Sequence, residues 1–214
     1  MRLYLSSYKL GNKPEAILTL LEGKKTAVIM NAQDGKSLDS RQERLLQELS
    51  GLTDLGLEPK ELDLRHYFGK EEALRATLNE FDFIWVRGGN AFLLRRAYRQ
   101  SGFGKIITEL LLKDDIAYGG YSAGICLLAP SLRGVELVDP INELAENYDE
   151  EVVWDGLGLV DYAFAPHYKS DHPESEDINK TVDYFIDNHM PFIALRDGEA
   201  MLVNGDPSNF TIVN

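Results

Sequence analysis

Short apolar runs of strand length alternate with amphipathic runs of helix length along this chain. Residues 25–30 (KTAVIM) and 81–86 (FDFIWV) are apolar and carry β-branched and aromatic side chains, which predicts buried strands. Between them Leu38, Leu45, Leu46, Leu49 and Leu52 recur at helical spacing and predict a helix over 38–52. Residues 3–6, 58–64 and 116–120 read as further strands, and 71–78, 92–99 and 105–113 as helices. A helix over 123–128 is stopped by Pro130. Beyond it the alternation loosens. A short strand over 163–165 precedes a helix over 174–188, with Ile178, Val182, Phe185 and Ile186 on one face. Residues 192–195, 200–203 and 210–213 read as a closing set of strands. The alternation predicts an α/β fold of three layers, with a mostly parallel central sheet and helices on both faces. The chain, 1–214, reads as one domain. The acidic stretch 143–151 reads as a solvated surface loop.

In such sheets the working groups gather at the carboxyl ends of the strands. One of those ends is the most informative segment of the chain. Gly120-Tyr121-Ser122-Ala123-Gly124 follows the strand Ile116-Ala117-Tyr118 and opens a helix. This G-x-S-x-G spacing builds a nucleophile elbow, a tight turn on which only glycine leaves room beside the serine. The same turn aims the first N–H groups of the helix at the hydroxyl, where they suit a developing oxyanion. The bland alternative is a serine that only caps the helix. A second glycine-rich turn, Val86-Arg87-Gly88-Gly89-Asn90, ends the strand over 81–86 and should face the same cleft. Gly89 and Ala123 are therefore the candidate oxyanion donors.

A serine hydroxyl needs a base. Of the four histidines, His167 follows an apolar strand and Pro166, which puts its ring where a strand ends and the cleft begins. His66 sits just past a strand, His189 at a helix end, and His172 in a polar loop that reads as solvated. The acid that orients the base is read as Asp197, at the end of the strand over 192–195, with Asp139 and Glu199 as alternatives. Asp197-Gly198 is also a common hairpin turn.

Composition removes several function classes. A formal net charge of −13 argues against a nucleic-acid partner and against anionic membranes. No apolar run approaches the roughly 20 residues needed to span a bilayer. The single cysteine, Cys126, excludes an internal disulfide and reads as a small core residue. With no signal peptide at the start, these features predict a cytoplasmic protein.

Together, Val86-Arg87-Gly88-Gly89-Asn90-Ala91-Phe92, Gly120-Tyr121-Ser122-Ala123-Gly124, Pro166-His167-Tyr168 and Ile193-Ala194-Leu195-Arg196-Asp197-Gly198 resemble the serine peptidase family of dipeptidase E (aspartyl dipeptidase) and cyanophycinase. The four pieces stand in that family's order, Ser then His then acid, which differs from the Ser, Asp, His order of α/β-hydrolases. The resemblance implies a flavodoxin-like sheet related to class I glutamine amidotransferases, with no metal or other cofactor. It implies Ser122 as nucleophile, His167 as base and Gly89 as an oxyanion donor. Two departures stand out. The family's dipeptidases usually carry Glu where this chain has Asp197. Aspartyl dipeptidase also holds its substrate's aspartate with an arginine shortly after the histidine, and residues 171–180 contain none. Arg87, Asn90 and Lys169 are the substrate-binding candidates, and Arg87 is read evenly as a carboxylate ligand or the partner of an acidic neighbour. The resulting expectation is a serine-dependent hydrolase of dipeptides or other small peptides, a monomer or small homo-oligomer, without strict Asp-X specificity. The alternatives are an esterase or amidase on another acyl substrate, and a catalytically silent binding module.

Overall fold

The computed structural model describes every residue, Met1–Asn214. Alternation of side chains along its strands creates two buried faces. Along β4 (Phe83–Val86), Ile84 and Val86 join one core cluster and Phe83 and Trp85 the other. The central sheet has seven strands in the order β3-β2-β4-β5-β1-β8-β9. Here β1 is Arg2–Ser6, β2 Lys25–Ile29, β3 Glu58–Glu61, β5 Ala117–Tyr121, β8 Ala200–Asn204 and β9 Phe210–Val213. The first five in that order run parallel, and β8 and β9 extend the sheet antiparallel from β1.

Helices cover both faces, as the alternation predicts. Leu74 of α2 (Glu71–Leu78), Leu94 of α3 (Ala91–Ser101) and Ile106 of α4 (Phe103–Leu112) pack into the larger cluster. On the other face lie Leu45 and Leu52 of α1 (Leu38–Asp54), with Ile17 and Leu20 of a 3-10 helix, Pro14–Leu20, that hydrophobic spacing does not reveal. No helix is long and apolar enough to cross a membrane.

Three expectations need correction. The strand expected over 58–64 ends at Glu61, because Asp63 caps a 3-10 helix, Leu64–Tyr67, by accepting the Arg65 N–H at 3.0 Å. The closing strands are not one set. β7 (Phe192–Ala194) pairs in parallel with β6 (Ala163–Ala165) in a separate two-stranded sheet under α6 (Ser175–Asp187). The acidic stretch 143–151 is pinned rather than simply solvated. Its Tyr148 is buried and donates to Asp34 at 2.6 Å.

That Asp34 belongs to a buried ionic network. Arg41 pairs with Asp34 and Glu61, each at 2.7 Å, and lies 3.7 Å from Asp63. Burial alone would raise the Asp63 carboxyl, but hydrogen bonds from Arg65 overcome it and hold the group down at about 2. Asn31 ties the network to the chain after β2, donating to Asp34 at 2.7 Å and accepting the Leu64 N–H. Removing one member of a buried pair strands the other charge, at a cost of about 3–5 kcal/mol. Arg41→Leu should therefore lower unfolding stability in denaturant by that order. A loss below about 1 kcal/mol would mean that water reaches these carboxylates.

Candidate active site

The turn at Ser122, read in the sequence as a nucleophile elbow, lies between the carboxyl end of β5 and a helix. Ser122 has φ 51° and ψ −121°, an unfavourable conformation for a residue with a side chain, and α5 (Ala123–Cys126), a single turn, follows directly. The carbonyl oxygen of Val86 explains the flanking glycines. A Cβ on Gly120 would lie 2.5 Å from it, and one on Gly124 2.6 Å. Gly88 makes room from the other strand, since its Cβ would lie 2.7 Å from that of Ser122. Although Ser122 occupies the helix N-cap position, its side chain makes no capping bond. The capping alternative therefore does not describe it, and the hydroxyl is free.

Register brings the second glycine turn alongside. Ile29 pairs with Val86 and Val86 with Gly120, so the chain beyond β2, β4 and β5 emerges side by side. The turn after β4 is clamped from the β2 side. Gln33 Nε2 donates to the Gly88 carbonyl at 2.6 Å, and the Asn90 N–H donates to the Ala32 carbonyl at 2.9 Å. Gly89 sits at φ 148°, with Gln33 and the Ala32 carbonyl where a Cβ would be. Its N–H has no partner. The Ala123 N–H, at the first position of a helix, has no intrahelical acceptor.

The parallel pair β6–β7 positions the histidine and the acid. Ala165 is level with Ala194, so His167 and Asp197 both emerge just past the carboxyl ends. His167 Nδ1 lies 2.7 Å from Asp197 Oδ1. A neutral ring donating there leaves Nε2 with its lone pair. Ser7, at the end of β1, locks the arrangement. Its Oγ accepts the His167 N–H at 2.8 Å and lies 2.9 Å from Asp197 Oδ1. Ser170 Oγ accepts the Asp197 N–H at 2.8 Å. Burial lowers the pKa of His167, and the hydrogen bond and charge of Asp197 oppose that shift. Ser122, Gly88, Gly89, Tyr121 and His167 line one cavity of about 150 Å³.

Neither alternative acid bonds His167. Asp139 Oδ2 accepts the Ala91 N–H at 2.7 Å, at the start of α3, and Glu199 bonds the Arg196 N–H. Two of the substrate-binding candidates stand apart from the cavity. The amide of Asn90 is spent on Leu93, Pro140 and Glu143, and Lys169 is exposed with its ammonium over the Tyr168 ring. Arg87 does line the cavity, but its Nε lies 3.2 Å from Glu48, which also accepts from Trp85 and Tyr121. The pairing alternative is the one the geometry takes. His172 is not solvated as expected. Its ring stacks on His167 at 3.7 Å and 7°, with Tyr8 edge-on to both. No local pattern announces Ser7 or Tyr8, which reach the site through long-range packing, or His172, which folds back onto His167 from five residues away.

A model of peptidase family S51 matches residues 12–211. The chain belongs to this family. Curated relatives include peptidase E of Streptomyces coelicolor, 30% identical over 61% of this chain and 52% of that protein. An uncharacterized peptidase of Listeria innocua is 32% identical over 56% and 54%. The chain thus spans about half the length of the curated relatives it matches. A Listeria monocytogenes crystal structure assigned to peptidase E superposes with a TM-score of 0.77 at 26% identity, covering 100% of this chain and 98% of that one. A peptidase from an acI-B1 Actinobacterium shares the fold at a TM-score of 0.70 and 14% identity.

In this S51 chain, His167, His172 and Glu174 bring ligand atoms within 4.8 Å of one another, close enough to share a metal ion. The donors do not suit a ready-made site. His167 Nδ1 is taken by Asp197, and His172 Nδ1 accepts the Glu174 N–H at 3.2 Å. An ion there would occupy the Nε2 that a base needs.

Asp139 gives a test of the site's electrostatics. Burial pushes its carboxyl up to about 7, with Glu174 and Glu143 adding to the shift and the Ala91 N–H opposing it. The folded protein therefore binds more protons here than the unfolded chain between about pH 4 and 7, and stability falls as pH rises through that window. Asp139→Asn should raise the Tm more at pH 8 than at pH 5. An equal change at both would show that Asp139 titrates normally.

Proposed function

We propose that this chain is a serine-type peptidase acting on dipeptides or other small peptides through an acyl-enzyme on Ser122. The observation that carries the reading is a free serine hydroxyl on a strained strand-to-helix turn, sharing one cavity with a histidine that a carboxylate orients at 2.7 Å. Membership of family S51 supports the peptidase chemistry. The cavity, at about 150 Å³, is below the roughly 300–1,000 Å³ of sites for drug-sized ligands, which suits a small substrate.

His167 Nε2 takes the Ser122 proton as Oγ attacks the scissile carbonyl carbon. The N–H groups of Gly89 and Ala123 receive the tetrahedral oxyanion. His167 then protonates the departing amine, and water releases the acyl group by the same steps. No hydrogen bond joins Ser122 to His167 in this structure, and contacts of this kind often tighten only in the substrate complex. Asp197 is one methylene shorter than the glutamate common among the family's dipeptidases. Ser7 and Ser170 compensate by holding it against the ring. The chemistry requires no metal or other cofactor. The acidic net charge fits a small-molecule partner rather than a polyanion, and a lone buried thiol fits a reducing, cytoplasmic setting.

A panel of dipeptides, isoaspartyl dipeptides and short-chain esters tests the assignment. Peptide hydrolysis should fall on the order of 10⁴-fold or more in Ser122→Ala, and about 10⁴-fold in Asp197→Asn, with folding intact. Full activity in Ser122→Ala would refute the nucleophile, and turnover of esters alone would favour an esterase. The pH profile adds a second check. Because burial lowers the His167 pKa, the base stays neutral to lower pH than an ordinary imidazole. The acid limb of kcat/KM should then fall below roughly pH 6.5. A limb above pH 7 would contradict this.

A further inference from the structure

Arg44, on α1, lines the cavity that holds Ser122, Gly89 and His167. Unlike Arg87, it has no carboxylate within ion-pair reach. Its one hydrogen bond runs from Nε to Ser40 Oγ at 3.2 Å, so both terminal nitrogens are uncommitted. In a chain with 35 acidic and 22 basic residues, an unpaired half-buried guanidinium beside the candidate nucleophile is conspicuous.

Gln33 supplies a second, independent observation on the same cavity. Its Nε2 donates to the Gly88 carbonyl, which fixes the amide's orientation because a carbonyl only accepts. Its Oε1 is then left buried with no partner, on a side chain only 4% exposed. A buried acceptor without a donor is costly unless a ligand satisfies it.

A second pocket borders Ser122. There Asp139 and Glu174 join Ser122 around a small, largely apolar pocket. Glu174 also borders the cavity of Arg44, whereas Asp139 does not. A carboxylate-bearing group is attracted to Arg44, where a guanidinium can hold it bidentately.

We propose that Arg44 and Gln33 form a subsite for the free C-terminal carboxylate of a short peptide. Arg44 grips the carboxylate, and Gln33 Oε1 accepts a substrate N–H. The proposal rests on the peptidase reading, because the carboxylate belongs to the residue that departs as the amine while the acyl group stays on Ser122.

The test compares a hydrolysed dipeptide with its C-terminal amide in wild type, Arg44→Met and Arg44→Lys. Wild type should prefer the free acid by about 10- to 100-fold in kcat/KM. Arg44→Met should erase that preference, chiefly through KM, and Arg44→Lys should restore part of it. No preference in wild type, or an unaltered preference in Arg44→Met, overturns the subsite. Calorimetry on the Ser122→Ala protein with Ala-Leu and Ala-Leu amide separates this proposal from the peptidase reading. Free-acid binding that depends on Arg44, alongside a wild type that hydrolyses no peptide, would retain the subsite and discard the peptidase. Hydrolysis without any Arg44-dependent discrimination would do the reverse. Binding of neither peptide, or equal binding of both, would also overturn the subsite.

Discussion

The carbonyl oxygen of Val86 sits where side chains at 120 and 124 would otherwise go, and the site depends on that close approach. It allows β4 and β5 to run together to their ends and then lets the chain reverse into α5 within one residue. Ser122 is held in a left-handed conformation as a result, at a cost of order 1–3 kcal/mol. The packing of two buried strands supplies that energy. A serine in a relaxed turn would lay its hydroxyl on the helix end as a cap. Here the hydroxyl is kept free, and Gly88 from the neighbouring turn packs directly under its Cβ.

The His167–Asp197 half of the candidate site has a separate origin. His167 and Asp197 come from a two-stranded sheet that does not pair with the central one. Ser7, at the tip of central β1, bridges the two by bonding both the backbone of His167 and the carboxylate of Asp197. The buried network around Arg41 plays a comparable part for the glycine turn after β4, fixing the segment of Asn31 and Gln33 against which Gly88 and Gly89 are clamped. The candidate site is therefore an assembly of four strand ends from the central sheet, those of β1, β2, β4 and β5, and two from its small neighbour. Each is tied by hydrogen bonds that no element makes alone.

Much of this was legible in sequence because it is local. Period-two and period-3.6 patterning marks β2, β4, α1 and α2, and the glycine spacing around Ser122 is itself the steric requirement of the turn. His167 and Asp197 could be placed because each follows an apolar strand. What was not legible depends on contacts distant along the chain. Ser7 and Asp197 are 190 residues apart, and nothing in Tyr4-Leu5-Ser6-Ser7 announces a bridge to the acid. His172 reads as a polar loop residue until packing stacks it on His167. Arg87 and Arg44 look alike in sequence, and only the position of Glu48 separates the neutralised guanidinium from the free one. The separation of β6–β7 from β8–β9 was missed for the same reason, since a strand's pattern does not name its partner.

The most direct test is covalent. A fluorophosphonate reacts with a serine hydroxyl only where a neighbouring base activates it and an oxyanion pocket stabilises the attack. Intact-mass and peptide analysis of the treated protein should find a single adduct on Ser122, and labelling should vanish in a folded His167→Ala variant. Absence of an adduct in the wild type, or labelling of Ser122 that persists without His167, would contradict the account.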